Sequence, residues 1–327
     1  MTRPNPTGPI RIGLLGASKI ARGAVIVPAR GDPRFVLAAV AARDPARAEA
    51  YAQKHGIAAV SGNYAELVRR EDVDVVYNAL PPAGHERWTI AALEAGKAVL
   101  CEKPFARNAG QAGAMVAAAD RTGHLLIEAF HYRFHNVIRR AEALLADGVI
   151  GQVRSAAAEF HAPIPRTPGE LRWSAEQGGG GLMDLGCYPL HALRTLLKAE
   201  PQVAGARAVF EDSVDSDLSA DLTFAGEISA RIACSMTAPS FSAWLRLEGE
   251  RGVMEIQNFL APQMGCRFTT TVGGEVTEHP TEGKATYAAQ LDHLHAVMTA
   301  GERPLTGGAD AIANMTAIDA IYAAAGR

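Results

Sequence analysis

The sequence predicts an α/β part and an α+β part. Residues 1–130 read as a doubly wound parallel sheet, and residues 131–327 as a domain with a large, mostly antiparallel sheet flanked by helices. Three observations carry this. Short apolar runs alternate with helical segments through the first part at a spacing of roughly 25–35 residues, the pattern of parallel strands joined by crossovers. A glycine-bearing turn follows the first of these runs, at Gly16. From about residue 202 to 280, strand-like runs succeed one another with only short glycine turns between them, as antiparallel neighbours do.

The first part begins with the strand Ile10–Leu15, followed by Gly16-Ala17-Ser18-Lys19-Ile20-Ala21. This is a relaxed dinucleotide fingerprint with Gly16, Ser18 and Ala21 in its three small-residue places. It supplies a tight turn and backbone N–H groups that can approach a pyrophosphate at a helix amino end. Ser18 departs from glycine, yet it is small enough to let the backbone come close. Strands are then expected at 35–40, 73–79, 98–101 and 124–129, with helices at 45–55, 85–94 and 110–121 between them. This half reads as a Rossmann domain. The end of its second strand bears on the cofactor, because an acid there bonds a ribose 2′-hydroxyl and an arginine accepts a 2′-phosphate. Here Arg43 comes first, and Asp44-Pro45 has the form of an N-cap followed by proline at the first helical position. Arg43 therefore reads as the phosphate ligand, with NADP the preferred cofactor and NAD possible. The loop Leu80-Pro81-Pro82-Ala83-Gly84 follows a strand on the cofactor edge, and Leu80, Pro81 and His85 are candidate cofactor contacts. For His85, capping or packing is an equal alternative.

Beyond Phe130, His131–His135 is expected to open an amphipathic helix running to Gly148. A strand follows over 152–161, then a proline-rich loop to Leu171-Arg172-Trp173. Later strands are expected at 203–210, 217–224, 228–236 and 242–248, and closing helices at 287–300 and 309–325.

Composition sets the class. The 327 residues are 48% hydrophobic and 20% charged, with a net charge of −3 and no Lys/Arg-rich run. That leaves ample material for two cores and no basic surface for nucleic acid. No run of 18 apolar residues suggests a membrane span, so a soluble, cytoplasmic protein is expected. Cys101, Cys187, Cys234 and Cys266 lack metal-ligand spacing and read as reduced thiols; no metal is expected.

Two stretches carry chemistry. In Ala98-Val99-Leu100-Cys101-Glu102-Lys103-Pro104, a buried strand delivers a carboxylate and an amine to its carboxyl end, where open α/β sheets bind ligands. Read alone, this favours a surface turn. The second stretch is Gly178-Gly179-Gly180-Gly181-Leu182-Met183-Asp184-Leu185-Gly186-Cys187-Tyr188-Pro189-Leu190-His191. Its glycines allow close backbone approach, which the cofactor's nicotinamide end could use. Asp184, Tyr188 and His191 fall at i, i+4 and i+7, one helical face suited to acid–base chemistry. A buried Asp-Tyr-His packing network is the alternative. Pro189 requires either an irregular helix or one whose regular part begins near it.

Together these motifs resemble the glucose–fructose oxidoreductase / inositol dehydrogenase / MocA superfamily. The resemblance rests on Gly13–Ala21, on Ala91-Ala92-Leu93-Glu94-Ala95-Gly96-Lys97, on Cys101-Glu102-Lys103-Pro104 and on the island from Gly179 to His191. Val40–Asp44 and Ala98–Pro104 are most similar to the dihydrodiol dehydrogenases and the NADP-linked sugar dehydrogenases. The resemblance implies a cofactor site including Gly16, Ala17, Ser18, Lys19, Ile20 and Glu102. It also implies that Lys103 is the active-site lysine and that a cis Lys103–Pro104 bond is allowed. Inositol dehydrogenase-like members have histidine four residues after the catalytic aspartate. Here that position holds Tyr188, as in the dihydrodiol dehydrogenase and glucose–fructose oxidoreductase branches, which use the tyrosine as acid/base. Asp184 fits the catalytic aspartate, His191 a substrate-binding position, and Arg133 and Trp173 regions near the nicotinamide or substrate.

The implied activity is hydride transfer between a nicotinamide cofactor and a secondary alcohol or carbonyl of a sugar or polyol. A trans-dihydrodiol substrate is one alternative, and a non-catalytic, dinucleotide- and sugar-sensing regulator is another. Self-association through the second domain's sheet, as a dimer or tetramer, is implied as well.

Overall fold

The computed structural model describes residues 8–327. They form two compact units. The first runs to Phe130 and takes in Tyr287–Ile312, and the second holds His131–Thr286 and Ala313–Arg327.

The first unit is built on six strands: β1 (Ile10–Leu15), β2 (Phe35–Ala41), β3 (Ala59–Val60), β4 (Val75–Asn78), β5 (Ala98–Cys101) and β6 (Leu126–Glu128). Their order is β3-β2-β1-β4-β5-β6, and every pair is parallel. β4 and β5 are buried along their whole length, which explains their unbroken apolar runs. The order reverses direction between β1 and β4, the switch point beside which such sheets bind ligands. The fingerprint turn, the Leu80 loop and the Lys103 turn leave the carboxyl ends of β1, β4 and β5. Asp44 caps the helix Pro45–His55 by accepting from the Ala46 N–H at 3.0 Å, the structural role its Asp-Pro pairing predicts.

Two elements went unforeseen. β3 is two residues long, too short for a periodic signal, and the helix Tyr64–Arg69 follows Asn63, whose side chain caps it at 2.9 Å. The sequence-based cut after residue 130 also assigns the helix Thr286–Thr299 to the second part. Its stripe of Leu291, Leu294, Val297 and Met298 packs in one core with Ile10, Ile12, Leu14 and Phe35 of the parallel sheet.

The second unit carries eight strands: β7 (Val153–His161), β8 (Gln202–Glu211), β9 (Val214–Phe224), β10 (Ile228–Ser235), β11 (Ser242–Gly249), β12 (Gly252–Gln257), β13 (Arg267–Val272) and β14 (Glu275–Glu278). Their order is β14-β13-β12-β11-β7-β10-β9-β8, antiparallel except for β7 against β10. One face is apolar, with Ala156, Ala158 and Phe160 of β7 beside Ile232 and Cys234 of β10 and Leu245 and Leu247 of β11, all buried. The alternate residues include Glu159, Arg231, Arg246 and Glu255, which are less buried or exposed. This period of two is why the strands were legible.

The expected helix start at His131 is corrected by one turn. His131–Phe134 is a 3-10 turn, and His135 precedes the α-helix Asn136–Ala146 as its cap, its Nδ1 accepting from the Val137 N–H at 3.2 Å.

Candidate active site

In the first unit the residues expected to hold a dinucleotide converge on the carboxyl edge of the sheet. Gly16 takes φ +95°, a left-handed setting open to glycine, and a Cβ there would stand 3.2 Å from Leu80 Cδ2. Its N–H donates to Ala41 O at 2.8 Å, so the turn is tied to the end of β2, two residues before Arg43. The Ser18 hydroxyl accepts from the Ala21 N–H at 3.3 Å and starts the helix, the job glycine would have left undone. Arg47 donates to Ala17 O and the Tyr51 hydroxyl to Ser18 O, each at 2.8 Å, holding the turn from behind. Lys19 and Ile20 are exposed at the head of the helix, and Arg43 is exposed beyond β2. A turn with glycine room, a helix amino end and an uncovered guanidinium on one edge is the donor set a phosphorylated dinucleotide requires.

At the end of β5, Glu102 is buried and Lys103 half-buried, and the Lys103–Pro104 peptide is cis. One Glu102 oxygen accepts from the Tyr77 hydroxyl at 2.6 Å, and the other lies 3.3 Å from the Lys103 N–H. Tyr77 therefore anchors the residue that precedes the lysine. His85 is enclosed between two loops. Its ring has no exposure, and its nitrogens meet the carbonyls of Leu80 (2.7 Å), Pro104 (3.0 Å) and Phe105 (3.2 Å). Burial pushes its pKa down, against those carbonyls, which push it up.

In the second unit, the helix of the glycine island is irregular before Pro189 and its regular part begins near it, so both readings that Pro189 allowed hold. Leu182–Gly186 is π-helical, with the Cys187 N–H reaching Leu182 O, and a regular α-helix then runs Cys187–Leu197. Pro189 thereby falls in the first turn of the regular part, where no helical N–H partner is needed. Tyr188 is 5% exposed and walled by the rings of His131, Tyr132 and Phe160 at centroid distances of 5.7, 5.9 and 5.7 Å. His191 is fixed by a 2.5 Å bond between its Nδ1 and the Tyr132 hydroxyl. Asp184 receives the Arg172 Nε at 2.6 Å, and Arg172 also reaches Glu170 at 2.9 Å. The charge of Asp184 pushes the Arg172 guanidinium pKa up.

Trp173 gives its indole N–H to Ile164 O at 3.2 Å, with the Arg166 guanidinium 4.0 Å above the ring. Arg133 is committed to Glu142 through two 2.8 Å bonds.

Gly179 and Gly180, two of the four glycines, are packed against other parts of the chain. A Cβ on Gly179 would stand 2.4 Å from Arg172 O, and one on Gly180 would stand 2.3 Å from Asp215 Oδ1. The close approach is to the chain itself. Asp215 is fully buried and accepts from the Leu182 N–H at 2.6 Å and the Tyr322 hydroxyl at 2.7 Å. It thus seats the amino end of the helical run that bears Asp184 and Tyr188. Burial raises the Asp215 pKa while those two bonds lower it. Tyr132, Arg172, Asp215 and Tyr322 all escaped the sequence reading, because each meets its partner across a gap in the chain that no local pattern marks. Burial also raises the pKa of the Cys101 and Cys234 thiols, which makes neither a nucleophile.

Comparisons with known proteins agree with this fold. Residues 10–130 match the oxidoreductase family with an NAD-binding Rossmann fold, and residues 138–255 match the GFO/IDH/MocA C-terminal domain. The chain is 31% identical to D-xylose 1-dehydrogenase (NADP(+)) 2 of Haloferax volcanii, over 96% of each protein. It is 33% identical to the mouse (Mus musculus) trans-1,2-dihydrobenzene-1,2-diol dehydrogenase, over 83% of this chain and 80% of that one. A 3-ketoreductase from Actinomadura kijaniata, solved in complex with NADP and TDP-benzene, superposes with a TM-score of 0.89 at 28% identity, covering 97% of this chain and 98% of that one. With family matches in both units and relatives aligned along nearly its whole length, the chain belongs to the GFO/IDH/MocA family of NAD(P)-dependent oxidoreductases.

Proposed function

We propose that the protein transfers a hydride reversibly between NADP and a secondary alcohol or carbonyl of a sugar, polyol or related cyclic substrate. The observation that carries this reading is the acid–base set on one helical run: Tyr188 enclosed by rings, His191 pinned by Tyr132, and Asp184 paired with Arg172. When bound, the nicotinamide supplies or accepts the hydride.

The chain's own residues manage the proton. Tyr188 exchanges it with the substrate hydroxyl. A free tyrosine pKa near ~10 is too high for this at neutral pH, and a cation favours the phenolate; Lys103 is the residue assigned to supply that charge. Asp184 and His191 orient substrate hydroxyls, and the ring walls around Tyr188 keep the local dielectric low, where such charge effects are strongest. Mixing the protein with NADP⁺ or NAD⁺ and a panel of sugars, polyols and trans-dihydrodiols, and following reduced-cofactor absorbance, tests the reading. Cofactor reduction by a sugar or polyol supports it, and reduction by dihydrodiols alone would replace the substrate class.

NADP over NAD rests on Arg43, which stands exposed beyond β2 where a 2′-phosphate would lie. The Haloferax volcanii relative is an NADP(+) D-xylose 1-dehydrogenase, and NADP is bound in the Actinomadura kijaniata structure. Losing a charge-assisted phosphate contact costs about 1.5–3 kcal/mol. Arg43→Ala is therefore expected to raise the NADP KM roughly 10- to 100-fold while leaving the NAD KM unchanged. An unchanged NADP KM would remove Arg43 from this role. The less buried face of the eight-stranded sheet, with Trp244 among charged residues, is the surface proposed for self-association.

A further inference from the structure

We propose that His85 is a positioning residue for the reaction: its buried ring ties the loop after β4 to the turn that carries Lys103. The inference rests on the assignment of Lys103 above. β4 and β5 lie side by side with Asn78 opposite Cys101, so the two loops leave the sheet as neighbours. The His85 ring stands between them. Nε2 meets Leu80 O on one side at 2.7 Å, and Nδ1 meets Pro104 O and Phe105 O on the other at 3.0 and 3.2 Å.

The base of the ring is held too. Asn78 Nδ2 donates to His85 O at 3.3 Å and to Thr89 Oγ1 at 3.1 Å. Leu80 in turn leans on the fingerprint turn, where a Gly16 Cβ would come within 3.2 Å of it. One line of contacts thus runs from Gly16 through Leu80 and His85 to the carbonyl next to Lys103. A histidine that only filled space would not need acceptors in two separate loops. Carbonyls only accept, so the ring grips both loops when both of its nitrogens carry a proton, the form that the three carbonyls favour against burial, and it then transmits the position of the cofactor's loop to the lysine.

Two isosteres separate the links. Asparagine places an amide nitrogen near the Nδ1 position, and glutamine places one near Nε2. His85→Gln keeps the Leu80 bond and releases the Lys103 turn. It is expected to lower kcat roughly 10- to 100-fold, the scale of a small misplacement at a reacting centre, with cofactor KM within about twofold of normal. His85→Asn keeps the turn and releases Leu80, and should raise cofactor KM about tenfold with kcat within a few-fold.

A purely structural role would lower Tm in both variants and move kcat and KM in parallel. That outcome, or wild-type kinetics in both, overturns the inference. Lys103→Ala is measured alongside, and normal turnover there would instead remove the lysine assignment and the inference with it. Should the variants fail to fold, the unaltered protein supplies the test. Its His85 ring N–H is expected to exchange with solvent at least about 100-fold more slowly than a free imidazole, and exchange at the free rate overturns the inference.

Discussion

Tyr188→Phe is expected to lower kcat by roughly 10²–10⁴-fold, the range that a positioned general acid–base group contributes. The change removes one hydroxyl and keeps the ring that packs against His131, Tyr132 and Phe160, so the wall of the site is preserved. The fingerprint turn lies in the other unit and is untouched, so NADP should bind with unchanged affinity. Steady-state turnover together with cofactor fluorescence titration checks both halves. Near-normal turnover would move the proton-exchanging role to His191, whose Nδ1 meets the Tyr132 hydroxyl.

The largest expected stability effect is at Gly180. Its φ of +130° is strained for any residue with a side chain, and an added Cβ would stand 2.3 Å from Asp215 Oδ1 and 2.8 Å from the Tyr322 hydroxyl. Neither neighbour can swing away without giving up a buried bond: Asp215 would release the Leu182 N–H or Tyr322. Overpacking costs ~1–3 kcal/mol and a disallowed backbone setting a further ~1–3 kcal/mol, so Gly180→Ala should destabilise the fold by roughly 2–6 kcal/mol. The helix carrying Asp184 and Tyr188 would be displaced as well, with activity lost even where the chain stays folded. Gly56→Ala provides the contrast. Its φ is +59°, but nothing stands within 4 Å of an added Cβ, so only the backbone cost of about 1–3 kcal/mol is expected. Denaturant melts of both variants measure the difference, and equal loss of stability would refute the role given to Asp215.

What could be read from the sequence follows physical range. Strands with a period of two or an unbroken apolar run were visible, as were helices with an Asp-Pro or glycine boundary. Asp44 and Pro189 were legible because capping and proline geometry act within a few residues. β3 was not, because two residues carry no period. The helix Thr286–Thr299 was recognised but assigned to the wrong core, since its apolar stripe does not say which sheet it covers. The glycine island was seen to need close approach, but what approaches is Asp215, whose position depends on the register of β9. The partners of the expected site residues lay out of reach for the same reason. Arg172 is twelve positions from Asp184, and Tyr132 is fifty-nine from His191.

The central claim is that hydride passes between a carbinol carbon and the nicotinamide. It is tested most directly with sugars and polyols deuterated at their carbinol carbons, incubated with the protein and NADP⁺. The account predicts that the cofactor gains one deuterium, read by mass spectrometry, and that Tyr188→Phe slows the transfer without changing its destination. Tight NADP binding with no deuterium in the cofactor from any member of the panel would contradict it, and would point to a protein that senses the dinucleotide without turning it over.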